Sequence, residues 1–96
     1  MRPSEALEKN RQAIREATKR FNAANPRVFG SVVRGEDGPD SDLDILVDPL
    51  PGTTLFDLGG LLEELQTLLR CRVDIVTPGG LPHRIRQRVL LEATDV

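Results

Sequence analysis

The 96-residue sequence predicts an α/β or α+β domain in which helices cover one β-sheet. Long segments with apolar residues at helical spacing alternate with short apolar segments typical of strands, and Gly- and Pro-rich turns separate them. The predicted order is helix, strand, strand, helix, strand, helix. A chain of this length buries one modest core, so we expect residues 1–96 to form a single domain.

The first helix is predicted in PSEALEKNRQAIREATKRFNAANP, where Ser4 is a candidate N-cap and Asn25-Pro26 is expected to end the helix. Its apolar residues recur close to helical spacing at Leu7, Ile14, Ala17, Phe21 and Ala24. The helix is therefore amphipathic, and we expect its sparse apolar stripe to lie on the rest of the domain.

Two short strands are predicted next, separated by a polar loop. RVFG at 27–30 is stopped by its glycine, and SVVRGEDGPDS holds at most one helical turn before the loop. DLDILVD at 42–48 alternates, with Leu43, Ile45 and Val47 on one face and Asp42, Asp44, Leu46 and Asp48 on the other. The apolar face of this strand is expected in the core.

The second half of the chain predicts a helix, a strand and a final helix. Thr54 and Asp57 resemble a capping box for LFDLGGLLEELQTLLR, in which Leu58, Leu61, Leu62, Leu65 and Leu69 share one face. CRVDIVTP at 71–78 is the third strand, and its apolar residues at 73 and 75 face away from Asp74. Pro82 suits the first turn of the final helix.

Composition and charge exclude several classes of function. A net charge of -2 and only three aromatic residues, all Phe, argue against direct nucleic-acid binding. The single Cys and the single His exclude an internal disulfide and a Cys-based metal cluster. No apolar segment is long enough to span a membrane, and the polar N-terminus does not resemble a signal peptide. We therefore expect a cytoplasmic protein.

Asp42 and Asp44 carry the strongest chemical signal. Side chains at i and i+2 of a strand project to the same face, about 6.6 Å apart along the chain. Two like charges at this spacing repel, which raises the pKa of at least one carboxyl. A hard divalent cation removes the repulsion, and two cations about 3.5 to 4 Å apart match carboxylates that bridge them. The pair therefore predicts a metal site of the kind that supports in-line phosphoryl transfer.

Gly30, Ser31 and Arg34, which precede the aspartate pair in the sequence, are candidates to bind a phosphate. Gly30 allows the backbone to approach a ligand closely, and Ser31 offers a hydroxyl and an amide where a helical turn begins. Arg34, one turn further on, can add a charge-assisted hydrogen bond to the same phosphate. A surface arginine without this role is the structural alternative for Arg34.

Asp74 is the candidate for a third acid in the site. It is the lone carboxylate in an apolar strand, and its side chain is expected on the same side of the sheet as Asp42 and Asp44. An aspartate that only caps a sheet edge is the alternative. For the aspartate pair, the corresponding alternative is a strand that simply begins with two solvated acids. The Gly30-Ser31 pair, which is separated from Asp42 by ten residues, favours the metal site instead.

Gly30-Ser31, ten further residues, and then Asp42-Leu43-Asp44 resemble the signature of the DNA polymerase β-type nucleotidyltransferase superfamily. The resemblance covers nearly the whole chain for the minimal bacterial branch, the MNT or MntA-like antitoxins. It is carried by VFGSVVRGEDGPDSDLDILVD, LFDLGGLLEEL and VDIVTPGGLPHRIRQRVLLEA. It implies a small mixed β-sheet covered by helices.

The resemblance also implies a reaction and a partner. Proteins of this branch are similar to ATP-using, Mg²⁺-dependent adenylyltransferases that neutralise a HEPN-type toxin, a helical ribonuclease, by adenylylating its tyrosine. Gly30 and Ser31 would then hold the triphosphate, and Asp42 and Asp44 would bind two Mg²⁺ ions. Asp74 would activate the attacking hydroxyl or bind a metal. The chain would form a hetero-oligomer with the toxin, although its C-terminal EATDV lacks the tyrosine that relatives often carry there.

Two other classes of function stay open at the level of sequence. A binding-only antitoxin would mask the toxin without catalysis, and a third class would transfer nucleotides to RNA or to a small molecule. The intact set of three acids argues against the first. The negative net charge argues against a long RNA substrate.

Overall fold

The computed structural model describes residues 1–96 as one four-stranded sheet with helices packed on it. The elements are α1 (Pro3–Arg20), β1 (Ala23–Phe29), α2 (Ser31–Arg34), β2 (Leu43–Pro49), α3 (Leu55–Leu69), β3 (Val73–Val76), α4 (His83–Glu92) and β4 (Thr94–Asp95), with a 3-10 turn at Pro78–Gly80. The predicted order of three strands and three long helices is confirmed, α2 is the single helical turn expected after Gly30, and the structure adds the short β4. No helix combines the length and the apolar character needed to cross a membrane.

The sheet is mixed, as expected, and its strand order is β3-β2-β1-β4. β1 is antiparallel to both β2 and β4, whereas β2 and β3 run parallel. Parallel neighbours need a crossover connection, and α3 supplies it between β2 and β3. The central strands β2 and β1 are therefore paired on both sides, whereas β3, which carries Asp74, is an edge strand.

β2 is buried on both faces. One face carries the predicted alternating apolar residues, and the other packs in a second, smaller core that was not expected. Leu43, Ile45 and Val47 belong to the main apolar cluster with residues of α1 and α3. Leu46 points the other way and packs in a smaller cluster with Leu81 and Val89, which α4 and the segment before it contribute. α1 and α3 thus cover one face of the sheet, and α4 covers part of the other.

The predicted end of the first helix is wrong. α1 stops at Arg20, and residues 23–29 form β1, so Ala24 and Asn25-Pro26 lie in a strand. Asn22 has φ 60° and Asn25 has φ 52°, a left-handed conformation that asparagine tolerates better than most residues. The first ends the helix, and the second accompanies a register shift between β1 and β2 at Ala24–Arg27. Such an irregularity explains how a proline is accommodated inside a strand.

The start of α1 also differs from the expectation. The helix begins at Pro3, Arg2 is its N-cap residue, and Ser4 lies inside the first turn. The N–H of Ser4 donates a 2.9 Å hydrogen bond to Oδ2 of Asp37, a buried residue of the loop after α2. A carboxylate stabilises a helix N-terminus by accepting from its free N–H groups. This contact fastens the loop that leads to the aspartate pair.

The α3 helix agrees closely with the sequence-based prediction. Thr54 and Asp57 form the predicted capping box, in which the Thr54 hydroxyl accepts from the Asp57 N–H at 3.1 Å. The predicted leucine face is confirmed: Leu61, Leu65 and Leu69 are buried, and Leu58 and Leu62 pack against them in part.

Alanine substitutions at two adjacent glycines of α3 should change the stability of the fold in opposite directions. A Cβ on Gly59 would meet nothing, whereas a Cβ on Gly60 would lie 2.6 Å from Cε1 of Phe21. We expect Gly59→Ala to stabilise the fold by about 0.5–1 kcal/mol, because alanine is the better helix former. Gly60→Ala should lower the melting temperature because the Phe21 ring must move. Thermal melts of both variants test this, and a stabilised Gly60→Ala would contradict the close packing of α1 on α3.

Candidate active site

The pairing of β1, β2 and β3 brings the predicted residues together. Asp44 on β2 is in register with Asp74 on β3, and on its other side with Phe29, the last residue of β1. Gly30 follows Phe29 directly and is the N-cap of α2. The turn and the carboxylates are therefore close because β1 ends at the edge of the sheet where β2 and β3 begin.

Gly30 is the residue that allows this approach. Its φ is 81°, which favours glycine, and a Cβ built on it would overlap Oδ2 of Asp44. The group that lies against Gly30 in the structure is the Asp44 carboxylate, and the predicted approach of a phosphate to this position stays a prediction. The one-turn helix predicted after it is α2, Ser31–Arg34.

Asp44 has the most perturbed carboxyl in the protein. Burial, followed by the negative charges of Asp74 and Asp42 and a hydrogen bond with Asp74, raises the pKa of Asp44 to about 6. Arg34 opposes this shift by its positive charge. The expected repulsion between the acids is therefore present, and Asp44 carries it because Asp74 is exposed to solvent and Asp44 is half-buried.

Asp42 has a different neighbour. Its Oδ1 is buried and accepts no hydrogen bond, although Nε of Arg72 lies 2.9 Å away. The two groups form an ion pair in which the N–H does not point at the oxygen. The Arg72 side chain is 76% exposed, so it can move away at little cost. Sequence analysis did not identify Arg72.

These acids fit a divalent cation that is completed by a ligand. The side chains of the chain form no group of three or more His, Cys, Asp and Glu arranged as a ready-made metal site. Asp42 nevertheless has an oxygen with no hydrogen bond, and Asp44 is destabilised as a carboxylate. Mg²⁺ typically binds through one or two carboxylates together with waters and substrate phosphates. The donor set matches that mode of binding.

The turn beside the acids provides donors for a phosphate. The N–H groups of Ser31 and Val32 are the first of α2 and have no acceptor within that helix. Both lie next to Gly30 and hence next to the Asp44 carboxylate. Phosphate oxygens here would be within reach of both the donors and a metal on the aspartates.

The N–H of Gly30 itself is not free. It donates a 2.9 Å hydrogen bond to Oε2 of Glu92, the last residue of α4. Arg34, which was predicted to bind phosphate, donates to Oε1 of Glu92 at 2.7 Å and to Glu36 at 2.8 Å. Gly30 therefore shapes the turn, and sequence analysis missed Glu92 because it lies 62 residues away in the chain.

Asp48 is separate from the site. Although it shares a strand face with the aspartate pair, it forms a 2.6 Å ion pair with Arg27 and accepts a hydrogen bond from Asn25. It holds β1 and β2 together at the irregularity between them.

Comparisons with known proteins show the family of the chain. The sequence model of the family described as "Nucleotidyltransferase domain" matches residues 10–96. The chain is 43% identical over 82 residues to the protein adenylyltransferase MntA of Thermococcus cleftensis, which covers 85% of this chain and 83% of the relative. The region that the family model matches runs from within α1 to the end of the chain, and it therefore includes all the acids described above.

Two solved structures are similar to the whole fold. A minimal nucleotidyltransferase superposes with a TM-score of 0.88 at 46% identity and covers 97% of this chain and 95% of that chain. A toxin-antitoxin structure with AMP-PNP has a TM-score of 0.76 at 22% identity, with 90% and 71% covered, and shows the shared fold. The chain therefore belongs to the nucleotidyltransferase domain family and is an enzyme of its minimal, MntA-like branch.

Proposed function

We propose that this nucleotidyltransferase is the antitoxin of a toxin-antitoxin pair and transfers AMP from ATP to a tyrosine of a HEPN-type toxin. The observation that carries the proposal is the pairing of Asp44 with Asp74 beside the turn at Gly30. The relative named as a protein adenylyltransferase supports a protein acceptor. The toxin-antitoxin neighbour with AMP-PNP supports ATP as the donor and a toxin as the partner. Use of ATP as the donor supports a cytoplasmic location for the proposed reaction.

Each side of the site has its own task in this proposal. Ser31 and Arg34 bind the triphosphate, and Asp42, Asp44 and Asp74 face its reacting end. Mg²⁺ held by the aspartates and the phosphate oxygens would neutralise the charge that develops during transfer. Arg72 would leave Asp42 as the metal binds, because a divalent cation competes for the same oxygen.

Asp74 is the proposed general base. The acceptor hydroxyl attacks the α-phosphorus of ATP, and its proton passes to the Asp74 carboxylate. The bond from the α-phosphorus to the bridging oxygen breaks, and pyrophosphate leaves with the electron pair. Asp74 is exposed, so an acceptor side chain from a partner can reach it from solvent.

The surface near the site supports a partner protein. Leu91 is 80% exposed and directly precedes Glu92, which contacts the turn at Gly30. Leu55 and Phe56, 85% and 92% exposed, begin α3 after the other end of β2, so they lie at the opposite end of the sheet from the acids. Apolar side chains this open are typical of surfaces that a partner covers, and they suit masking as well as catalysis. The binding-only antitoxin is therefore the outcome that a transfer assay must separate.

Metal-dependent binding of nucleotide tests the first half of the proposal. We expect a non-hydrolysable ATP analogue to bind at least about tenfold more tightly with Mg²⁺ than with chelator, because phosphate oxygens complete the metal coordination. Calorimetry with and without Mg²⁺ measures this, and AMP serves as a control that lacks the β- and γ-phosphates. Equal affinity of the analogue under both conditions would contradict the metal site.

A further inference from the structure

One carboxylate joins the two ends of α2. Glu92 ends α4, and its Oε2 accepts from the N–H of Gly30 at 2.9 Å while its Oε1 accepts from Nη1 of Arg34 at 2.7 Å. Gly30 is the N-cap of α2 and Arg34 is its last residue. The Glu92 side chain is only 21% exposed, and the Gly30 N–H together with Arg34 keeps the pKa of Glu92 below its usual value. It is therefore a charged anchor at neutral pH.

α2 needs such an anchor. A helix of four residues is far too short to be stable by itself, because nucleating a turn costs more than its few hydrogen bonds return. Glycines with φ of 81° and 72° flank it, and both have unusual backbone freedom. None of its residues is fully buried. Its geometry must therefore be set in large part by contacts from outside, and Glu92 provides one at each end.

The same contact orients Arg34. The guanidinium is rigid and planar, so fixing two of its nitrogens fixes the third. Nε donates to Glu36 at 2.8 Å and Nη1 donates to Glu92, whereas Nη2 is left for a ligand. The Glu92 carboxylate that accepts from Arg34 also accepts from the Gly30 N–H, and Gly30 lies against Oδ2 of Asp44, so Arg34 is joined to the turn beside the aspartates.

We infer that Glu92 is a positioning residue of the nucleotide site: it fastens the turn at Gly30 and holds Arg34 in the orientation that binds the triphosphate. The inference rests on the proposed function, since it assigns the triphosphate to Ser31 and Arg34. It also makes the end of α4 part of the site, because that helix ends on the residue that holds the turn.

If Glu92 competed with the nucleotide instead of positioning the site, its removal would change the nucleotide affinity in the opposite direction. A carboxylate on an N–H and an arginine can also imitate a phosphate and compete with it, in which case removal of Glu92 would tighten nucleotide binding. A positioning residue, once removed, weakens binding. The sign of the change in affinity therefore separates the two roles.

Two substitutions and a matched control test the inference in the full chain. Glu92→Ala removes both hydrogen bonds, whereas Glu92→Gln keeps an oxygen for the Gly30 N–H and loses the charge facing Arg34. Glu64→Ala and Glu64→Gln are the controls, because Glu64 ties α3 to α1 through Arg20, away from the site. Calorimetry with the ATP analogue and Mg²⁺ gives Kd, the transfer assay gives KM and kcat, and thermal melts report the fold.

We expect Glu92→Ala to raise Kd and KM for the nucleotide about 10- to 100-fold, the range found when residues that orient ligand-binding groups are removed. Glu92→Gln should show a smaller increase, and neither Glu64 variant should change KM more than about twofold. If Glu92→Ala does not fold, the increase in Glu92→Gln decides.

Three results would overturn the inference. Unchanged Kd and KM in folded Glu92 variants with a lowered melting temperature would make the residue purely structural, and tighter binding would make it a competitor. Both leave the proposed function intact, since the wild type binds nucleotide. A wild type that binds no analogue in the presence of Mg²⁺ would contradict the proposed function, and this inference with it.

Discussion

Asp44→Asn should abolish nucleotidyl transfer, by about a thousandfold or more, and at the same time stabilise the metal-free fold. A metal that neutralises charge in the transition state contributes several kcal/mol, and each tenfold in rate is about 1.4 kcal/mol. The amide keeps the shape of the side chain and loses the charge that binds the cation. It can also donate a hydrogen bond to Asp74, which ionised Asp44 cannot do.

The stabilisation depends on pH with a defined sign. The pKa of Asp44 is raised to about 6 in the folded protein, against about 3.9 in an unfolded chain. A raised carboxyl pKa contributes stability below about pH 4 that is lost as the pH rises through about 6. Asp44→Asn removes this loss, so its advantage over the wild type should be near zero at pH 4 and full above pH 7.

Melts of both proteins in chelator, from pH 4 to 8, measure the effect. Solvent screening reduces the full linkage energy to about 1 kcal/mol, which corresponds to a rise of about 4–8 °C for a domain of this size. Asp48→Asn is the matched control on the same strand, because Asp48 pairs with Arg27 outside the site. It should keep transfer activity and lose a little stability. A destabilised Asp44→Asn at pH 8 would show that Asp44 is a structural residue.

Gly30→Ala should be the most destabilising single-methyl change at the site. A residue other than glycine at φ 81° is strained by about 1–3 kcal/mol, and its Cβ would also overlap the Asp44 carboxylate. We expect the melting temperature to fall by about 10 °C or more, because about 1 kcal/mol is worth about 4–8 °C in a domain this small. Nucleotide binding should be lost as Asp44 is displaced.

Gly35→Ala shows the cost of a left-handed backbone conformation without an overlap. Gly35 has φ 72° and ψ 24°, whereas Gly30 has φ 81° and ψ -151°, a region that is essentially restricted to glycine. A Cβ on Gly35 would meet nothing within 4 Å. Backbone strain alone should cost it about 1 kcal/mol. Gly30→Ala should lose more stability than Gly35→Ala, and equal losses in the two variants, measured by urea unfolding, would contradict the overlap with Asp44.

Much of the fold could be predicted because its signals are local. The alternation in residues 42–48 and the capping box at Thr54 each occupy fewer than about ten residues, and each was confirmed. The boundary between α1 and β1 could not be predicted in the same way. Apolar spacing extends through Phe21 to Ala24, whereas the left-handed conformation of Asn22 ends the helix earlier.

The residues of the site also differ in whether a local sequence signal could identify them. Gly30, Asp42 and Asp44 lie within 15 residues of one another, and their spacing carries the chemistry. Asp74 could be placed because an acid in an apolar strand must turn away from the core, and the register with Asp44 agrees. Glu92 and Arg72 gave no local signal, since their partners are reached only through the packing of α4 and the pairing of β3.

The intact mass of the partner is the most direct test of AMP transfer to a protein. The HEPN-type toxin proposed as the partner would be co-expressed with the wild type and, separately, with Asp44→Asn, and then purified for mass spectrometry. The proposed function predicts a partner that carries AMP on tyrosine with the wild type only. A partner that stays unmodified in both cultures and is nevertheless silenced by both proteins would contradict it and establish masking without catalysis.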